Sequence, residues 1–244
     1  MELHVLGSSS KGNCYLLKGE GETLILEAGI PSSEIIKALD FDLSHVVGCL
    51  VTHEHMDHAF SARTLTESGI KVCASAGTLE ALDMTNSPCT QVMDIARKIG
   101  SFMVIPLKAK HDAAEPLIYL IFHPSIGHLL FATDTYLVPY DLRGVSHFVI
   151  EANYSQEIIK SKLQAGEINK RLVKRIINSH LSLDNCLKVI EASGTDFIES
   201  VTLIHLSDSN SDAGAFKEAV QRLTGKPTYI ADKGLKIELT GGNE

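Results

Sequence analysis

Residues 46–58 read Val-Val-Gly-Cys-Leu-Val-Thr-His-Glu-His-Met-Asp-His. The run VVGCLVT is apolar almost throughout, the pattern of a strand buried on both faces. Directly behind it stand His53, His55, Asp57 and His58. On extended chain His53 and His55 project to the same side, so one cation can take both rings. Asp57 and His58 follow at offsets that suit a second cation. Packed this tightly behind an apolar strand, these groups would repel or desolvate one another without a cation between them. Isolated histidines read differently: His4, His45, His123, His128 and His147 are expected to be ordinary surface or core residues.

Upstream, short apolar runs alternate with turn residues: LHVL, the loop Gly7-Ser8-Ser9-Ser10-Lys11-Gly12-Asn13, CYLL, GEGE and TLILEAGI. They predict three short strands joined by a Ser/Gly loop and a hairpin. Pro31-Ser32-Ser33-Glu34 starts a helix that carries Ile35, Ile36 and Leu39 at helical spacing. Downstream, a helical stretch is expected around 60–68, a strand at 70–74 and a helix at 78–84. Strands follow at 102–107, 117–122, 128–132 and 148–151, then helices at about 167–179 and 182–192. A strand at 201–206, a helix at 212–223 and short strands near 228–230 and 235–239 close the chain. Two strand-rich blocks, each interleaved with helices, predict an α/β fold of the αββα type, with two mixed sheets face to face and helices outside. No proline-rich linker or repeat divides the sequence, so one domain over residues 1–244 is expected.

Composition narrows the setting. With 22 Lys and Arg against 30 Asp and Glu, the formal charge is -8, which argues against wholesale nucleic-acid binding through a basic surface. The basic residues are nevertheless uneven: Lys160, Lys162, Lys170, Arg171, Lys174 and Arg175 lie close together, with Glu167 the single acid between Lys160 and Arg175. Cys14, Cys49, Cys73, Cys89 and Cys186 form no CxxC pair and no even-numbered framework, so they read as small buried hydrophobes. No long apolar run and no secretory N-terminal pattern appears, so a cytoplasmic protein without a membrane segment is expected.

Two cations need more than four ligands. His111 follows the strand FMVIPLKAK, Asp134 follows HLLFAT, and His205 ends VTLIH. A carboxylate suits a bridge between two cations, because it offers two oxygens and offsets their charge, and Asp134 is the candidate. Taken alone, Asp134 would read as a turn or cap residue.

The string THEHMDH resembles the HxHxDH signature of the metallo-β-lactamase fold, and His111, Asp134 and His205 follow in the order of its other ligand motifs. GSSSKGNCYLL, HDAAEP, ATDT, SHLS and HLSDSN are similar to blocks of the YycJ/WalJ-like branch. The resemblance implies His53, His55 and His111 on one ion, Asp57, His58 and His205 on the other, and Asp134 bridging. Imidazole and carboxylate suit Zn²⁺, Mn²⁺ or Fe. Glu27 in LILEAG stands where the family usually has Asp, as a carboxylate that orients the HxHxDH loop from behind.

Two ions set about 3.5–4 Å apart acidify water and clamp the oxygens of an in-line displacement, which implies hydroxide attack on an electrophile. Asp57 and His180 are the candidate catalytic residues, with His180 in Asn178-Ser179-His180-Leu181-Ser182 aiding leaving-group departure. The preceding helix sets Lys170, Arg171, Lys174 and Arg175 on one face and Leu172, Val173, Ile176 and Ile177 on another. Its apolar face is expected to dock and its basic face to track a phosphate backbone, with Asn13 of the opening loop also near substrate. The branch it resembles implies a DNA phosphodiesterase of the 5′-to-3′ exonuclease kind. The alternatives are a phosphodiesterase for a cyclic nucleotide or other small molecule, a thioester or lactone hydrolase, and a metal-bound module without turnover.

Overall fold

The computed structural model describes residues 1–241; the last three residues of the span read as one domain lie outside the described residues. The first half runs β1 (Glu2–Ser9), β2 (Gly12–Lys18), β3 (Thr23–Leu26), α1 (Ser32–Ala38), β4 (Val46–Leu50), α2 (Met56–Ala59), α3 (Ala62–Glu67), β5 (Val72–Ala74), α4 (Ala76–Ala81) and β6 (Thr90–Val92). The second runs β7 (Arg97–Ile99), β8 (Phe102–Lys108), β9 (Leu117–His123), β10 (Gly127–Ala132), β11 (Val145–Glu151), α5 (Gln156–Ala165), α6 (Lys170–Ser179) and α7 (Leu183–Ala192). It continues through β12 (Ser200–Ile204), α8 (Ala213–Thr224), β13 (Thr228–Ile230) and β14 (Lys236–Glu238).

Among the described residues two seven-stranded sheets result, ordered β14-β1-β2-β3-β4-β5-β6 and β13-β12-β11-β10-β9-β8-β7. Each changes character at one strand. In the first, β14 to β3 pair antiparallel and β3 to β6 parallel. In the second, β7 to β10 pair antiparallel and β10 to β13 parallel. Strands β3 and β10 therefore occupy equivalent places in the two halves.

Alternation along the strands assigns the faces. Leu3, Val5, Tyr15, Leu17, Leu24 and Leu26 of the first sheet point inward against Phe102, Val104, Tyr119, Ile121, Leu129 and Phe131 of the second. Tyr15 and Phe131 meet edge to face at 5.5 Å. The intervening positions point outward. Cys14, Leu16, Ile25, Cys49 and Val51 pack beneath Ile35, Leu39 and Leu65 of the first half's helical segments. Phe148, Ile150, Val201 and Leu203 pack beneath Cys186, Ile190, Phe216 and Val220 of α7 and α8. Cys14, Cys49, Cys73 and Cys186 are buried thiols, with Cys89 half-buried. No helix among the described residues is long and apolar enough to cross a membrane.

Several local readings change. The opening loop is a two-residue turn at Ser10–Lys11, because β1 extends to Ser9 and pairs with Gly12. The helical stretch expected around 60–68 is α3, and a separate short helix, α2, precedes it across Phe60–Ser61 within the metal-type motif. Helix α5 was not expected; the Ser155 side chain caps its start and Gly166, at φ 75°, ends it, which leaves α6 to begin afresh from the Asn169 cap. Strands β6 and β7 are three residues each and carry one apolar side chain apiece, Val92 and the buried Ile99, so they lack the apolar pattern that marks a strand. The apolar side of α6 docks less than its amphipathic sequence predicts. Within the helix only Ser179 is buried, while Leu172 and Ile177 are 44% and 45% exposed.

Candidate metal centre

The site lies at the carboxyl ends of the parallel strands, beside the two strands where pairing changes sense, where open α/β sheets generally present their ligands. Three of its residues begin their segments with left-handed backbone: Glu27 (φ 66°) after β3, Asp134 (φ 46°) after β10 and His205 (φ 53°) after β12. Each such residue costs about 1–2 kcal/mol relative to right-handed backbone, a cost the fold sustains where a side chain must turn out of the sheet. Gly29 permits the closest approach of all. A Cβ there would come within 1.7 Å of the Asp57 carbonyl oxygen, so only glycine lets the turn after β3 lie against the loop 53–58.

Beneath this loop the two sheets are tied together. The Tyr119 hydroxyl donates to the Val51 carbonyl at 2.8 Å, and the Leu117 amide donates to Thr52 at 2.9 Å. Asn13, expected near substrate, is fully buried and donates its amide to the carbonyls of Ser9 and Asp57. It braces the loop from within.

Seven residues converge on this floor as two donor sets that share Asp134: His53, His55, His111 with Asp134, and Asp57, His58, His205 with Asp134, each set lying within 4.8 Å. In the first, His53 Nε2 and His111 Nε2 stand 3.1 and 3.2 Å from His55 Nδ1. His111 donates its Nδ1–H to the Ser179 carbonyl at 2.9 Å, which leaves Nε2 as a lone pair facing the set. Burial holds the His53 and His111 pKa values below the ordinary imidazole range, so both rings are neutral and ready to ligate.

In the second set, Asp134 Oδ2 is 3.3 Å from His58 Nε2, and Asp57 Oδ2 is 3.5 Å from the same atom. His205 turns Nδ1 to Asp134 Oδ1 and Glu151 Oε1, both at 3.1 Å. Its Nε2 is buried without a hydrogen-bond partner among the described residues and lies 3.7 Å from Asp57 Oδ2. A buried nitrogen with no partner is costly unless something else fills its lone pair. Five imidazoles and two carboxylates around such orphaned atoms fit a pair of divalent cations. Burial opposes the charged form of Asp134, yet His205 and His58 hold its carboxyl well below the usual range, so it is an anion facing both sets.

Two buried glutamates stand behind the ligands. Glu27 accepts from the Thr52 amide through Oε2 at 3.3 Å and sets Oε1 3.5 Å from His58 Nδ1. Glu151 was not read from the sequence. Its Oε2 accepts from the amides of Thr135 and Leu181 at 3.3 and 3.0 Å, and its Oε1 accepts from His180 Nδ1 at 2.7 Å as well as from His205. The available signal was the string Ile150-Glu151-Ala152 closing an apolar run, which repeats Leu26-Glu27-Ala28.

A cleft of about 420 Å³ opens over the site. His180 caps α6 and is 22% exposed by its side chain, whereas His53, His58, His111 and His205 are nearly inaccessible. Burial works against its imidazolium, but Glu151 and Asp134 outweigh that and push the pKa up to about 10. Of the four cations of α6, Arg175 lines the cleft; Lys170, Arg171 and Lys174 are exposed elsewhere on the helix.

Comparison with known proteins agrees with this architecture. The chain is 29% identical over 228 residues to the exodeoxyribonuclease YycJ of Bacillus anthracis, covering 86% of this chain and 85% of that one. It is 25% identical over 255 residues to the exodeoxyribonuclease WalJ of Streptococcus pneumoniae serotype 2 (strain D39), covering 96% and 90%. The metallo-β-lactamase fold protein YhfI of Bacillus subtilis superposes with a TM-score of 0.75 at 14% identity, over 97% of this chain and 99% of that one. Residues 9–163 match the model of the metallo-beta-lactamase superfamily, and with two mixed sheets carrying paired His/Asp donor sets at their switch strands, the chain belongs to that superfamily and is a metal-dependent hydrolase.

Proposed function

We propose that this protein is a cytoplasmic DNA phosphodiesterase that degrades strands from the 5′ end, with His180 as the proton donor to the leaving oxygen. The observation that carries the reading is the Glu151–His180 pair at 2.7 Å on the wall of the metal cleft. An alkoxide departing from phosphorus needs a proton, and a partly exposed imidazolium beside the donor sets is placed to give one. Glu151 fixes the ring by taking its Nδ1–H, which turns Nε2 away from the carboxylate as the atom free to serve substrate. His53, His55 and His111 would hold one divalent cation, Asp57, His58 and His205 the other, and Asp134 both. The pair supplies Lewis-acid polarisation and an acidified water. The names of the Bacillus and Streptococcus relatives, both exodeoxyribonucleases, support DNA as the substrate.

A small phosphodiester is the second reading, favoured by one observation: Arg175 is the one cation of α6 that lines the cleft, whereas a long phosphate track needs several. Purified protein reconstituted with Mn²⁺ or Zn²⁺ is to be assayed on end-labelled single- and double-stranded DNA, a cyclic nucleotide and a thioester, with Asp57→Ala and His180→Ala alongside. Stepwise release of nucleotides from the 5′ end, lost in both variants, is expected. Thioester hydrolysis without phosphodiester cleavage overturns the proposal.

A further inference from the structure

The side of α6 that lines the cleft carries only one of the helix's four cations. Leu172, Arg175, Ile176 and Ser179 line it, spaced three and four apart as one side of a helix requires, while Val173 and Ile177 line a separate groove against α5. Leu172 remains 44% exposed, and Leu206 adds a further apolar residue to the cleft lining. Elsewhere the lining is polar, with Ser10 and the segment Ser207–Asn210, in which Asp208 pairs with Lys11 at 3.8 Å. A site for a bare phosphodiester has no use for a half-exposed aliphatic wall beside its ligands. A nucleobase has a large apolar face and gains most from such a surface once it is unstacked.

Resting on the DNA reading above, we infer that Leu172 and Ile176 form the base-binding wall for the nucleotide being released. On this assignment Arg175 is the phosphate contact at its edge, and the polar lining accommodates sugar and backbone. The cleft thus selects an unstacked terminal nucleotide, and α6 recognises its base face without reading base identity, because aliphatic contact is available to every base. The cleft volume of about 420 Å³ is enough for one nucleotide.

The experiment is a double-mutant cycle between protein and substrate. Wild type, the Leu172→Ala/Ile176→Ala double variant and Ile177→Ala, which alters the other side of the same helix, are assayed with metal on single-stranded oligonucleotides. The 5′-terminal residue is either a normal nucleotide or an abasic tetrahydrofuran analogue. In the wild type the abasic end is expected to lower kcat/KM about tenfold, which is about 1.4 kcal/mol. The double variant should be slow on the normal substrate and lose less than about twofold more on the abasic one; Ile177→Ala should keep the full wild-type discrimination. A double-variant penalty equal on both substrates overturns the inference, as does a wild type indifferent to the missing base. Leu172→Met, which keeps an apolar contact, should restore the preference and separates this from loss of folding. If no form of the protein cleaves DNA while small phosphodiesters are hydrolysed, the DNA reading has failed and not the wall alone.

Discussion

Glu27 and Glu151 are both fully buried, both end an apolar run in the string Glu-Ala, and both accept from the backbone of a neighbouring segment through one oxygen while presenting the other to histidine. They differ in what that second oxygen does. Glu27 Oε1 stands 3.5 Å from a single imidazole, His58, and both atoms lack a hydrogen-bond partner among the described residues. Glu151 Oε1 takes short bonds from two, His180 and His205. The first glutamate therefore acts on a ligand alone, with slack in the contact. The second couples a ligand to the group proposed to move the proton. On the proposed mechanism, equivalent positions behind the donor sets would serve affinity on one side and affinity plus proton transfer on the other.

The largest effect tests whether the two halves form one site. Asp134 faces both donor sets and Asp57 only one. Asp134→Ala should abolish hydrolysis and bring bound metal, measured by elemental analysis, down in both sites. Asp57→Ala should also abolish hydrolysis but retain metal in the set of His53, His55 and His111. Equal metal content in the two variants would show that the sets fill independently of the shared carboxylate.

The next pair of substitutions addresses the glutamates themselves. Outer carboxylates behind metal-bound histidines are generally worth about 10- to 100-fold in metal affinity or activity. Glu27→Gln should lie in that range and be rescued by added metal, because what it weakens is the orientation of His58. Glu151→Gln should show a similar loss that persists at saturating metal, since His180 loses the anion that holds it protonated and aimed. Titrating activity against metal concentration for each variant separates the two. Full rescue of Glu151→Gln would reduce its role to that of Glu27. Glu27→Asp, the residue usual in this family at that place, is expected to act as a weak version of Glu27→Gln, because the shorter side chain draws the carboxylate still further from His58.

The same contrast explains what could be read from sequence. The ligands on the Glu27 side are contiguous, in THEHMDH, because one loop after one strand carries them all, so spacing alone exposes them. On the Glu151 side His111, Asp134, His180 and His205 arrive from separate segments, and their order became meaningful only through resemblance to a family. Glu151 escaped because a glutamate closing VSHFVIE has no spacing partner; its partners lie 29 and 54 positions away. The sheets and the main strands were legible from alternation and apolar runs. Helix α5 was missed because its cap, Ser155, sits in a polar stretch that reads as loop, and the short β6 and β7 because each, at three residues with a single apolar side chain, shows no period.

Helix α6 is where the sequence pattern misleads most, and its charges supply the smallest expected effect. Amphipathicity sorts Lys170, Arg171, Lys174 and Arg175 against four aliphatic residues, which suggests a basic track over a docked apolar face. In the fold the helix stands between the metal cleft and the α5 groove, so its aliphatic residues divide between two openings and Arg175 alone among the cations reaches the cleft. Charge reversal then has unequal consequences. Arg175→Glu should raise KM for DNA about tenfold and flatten the dependence of log KM on log salt by roughly one phosphate contact. Lys174→Glu, exposed outside the cleft lining and acting only through screened solvent, should change KM by about twofold and leave the salt slope as it was. Measured as KM between 50 and 200 mM salt, equal slopes for the two variants would restore the continuous basic track and remove the reason for treating α6 as a wall rather than a rail.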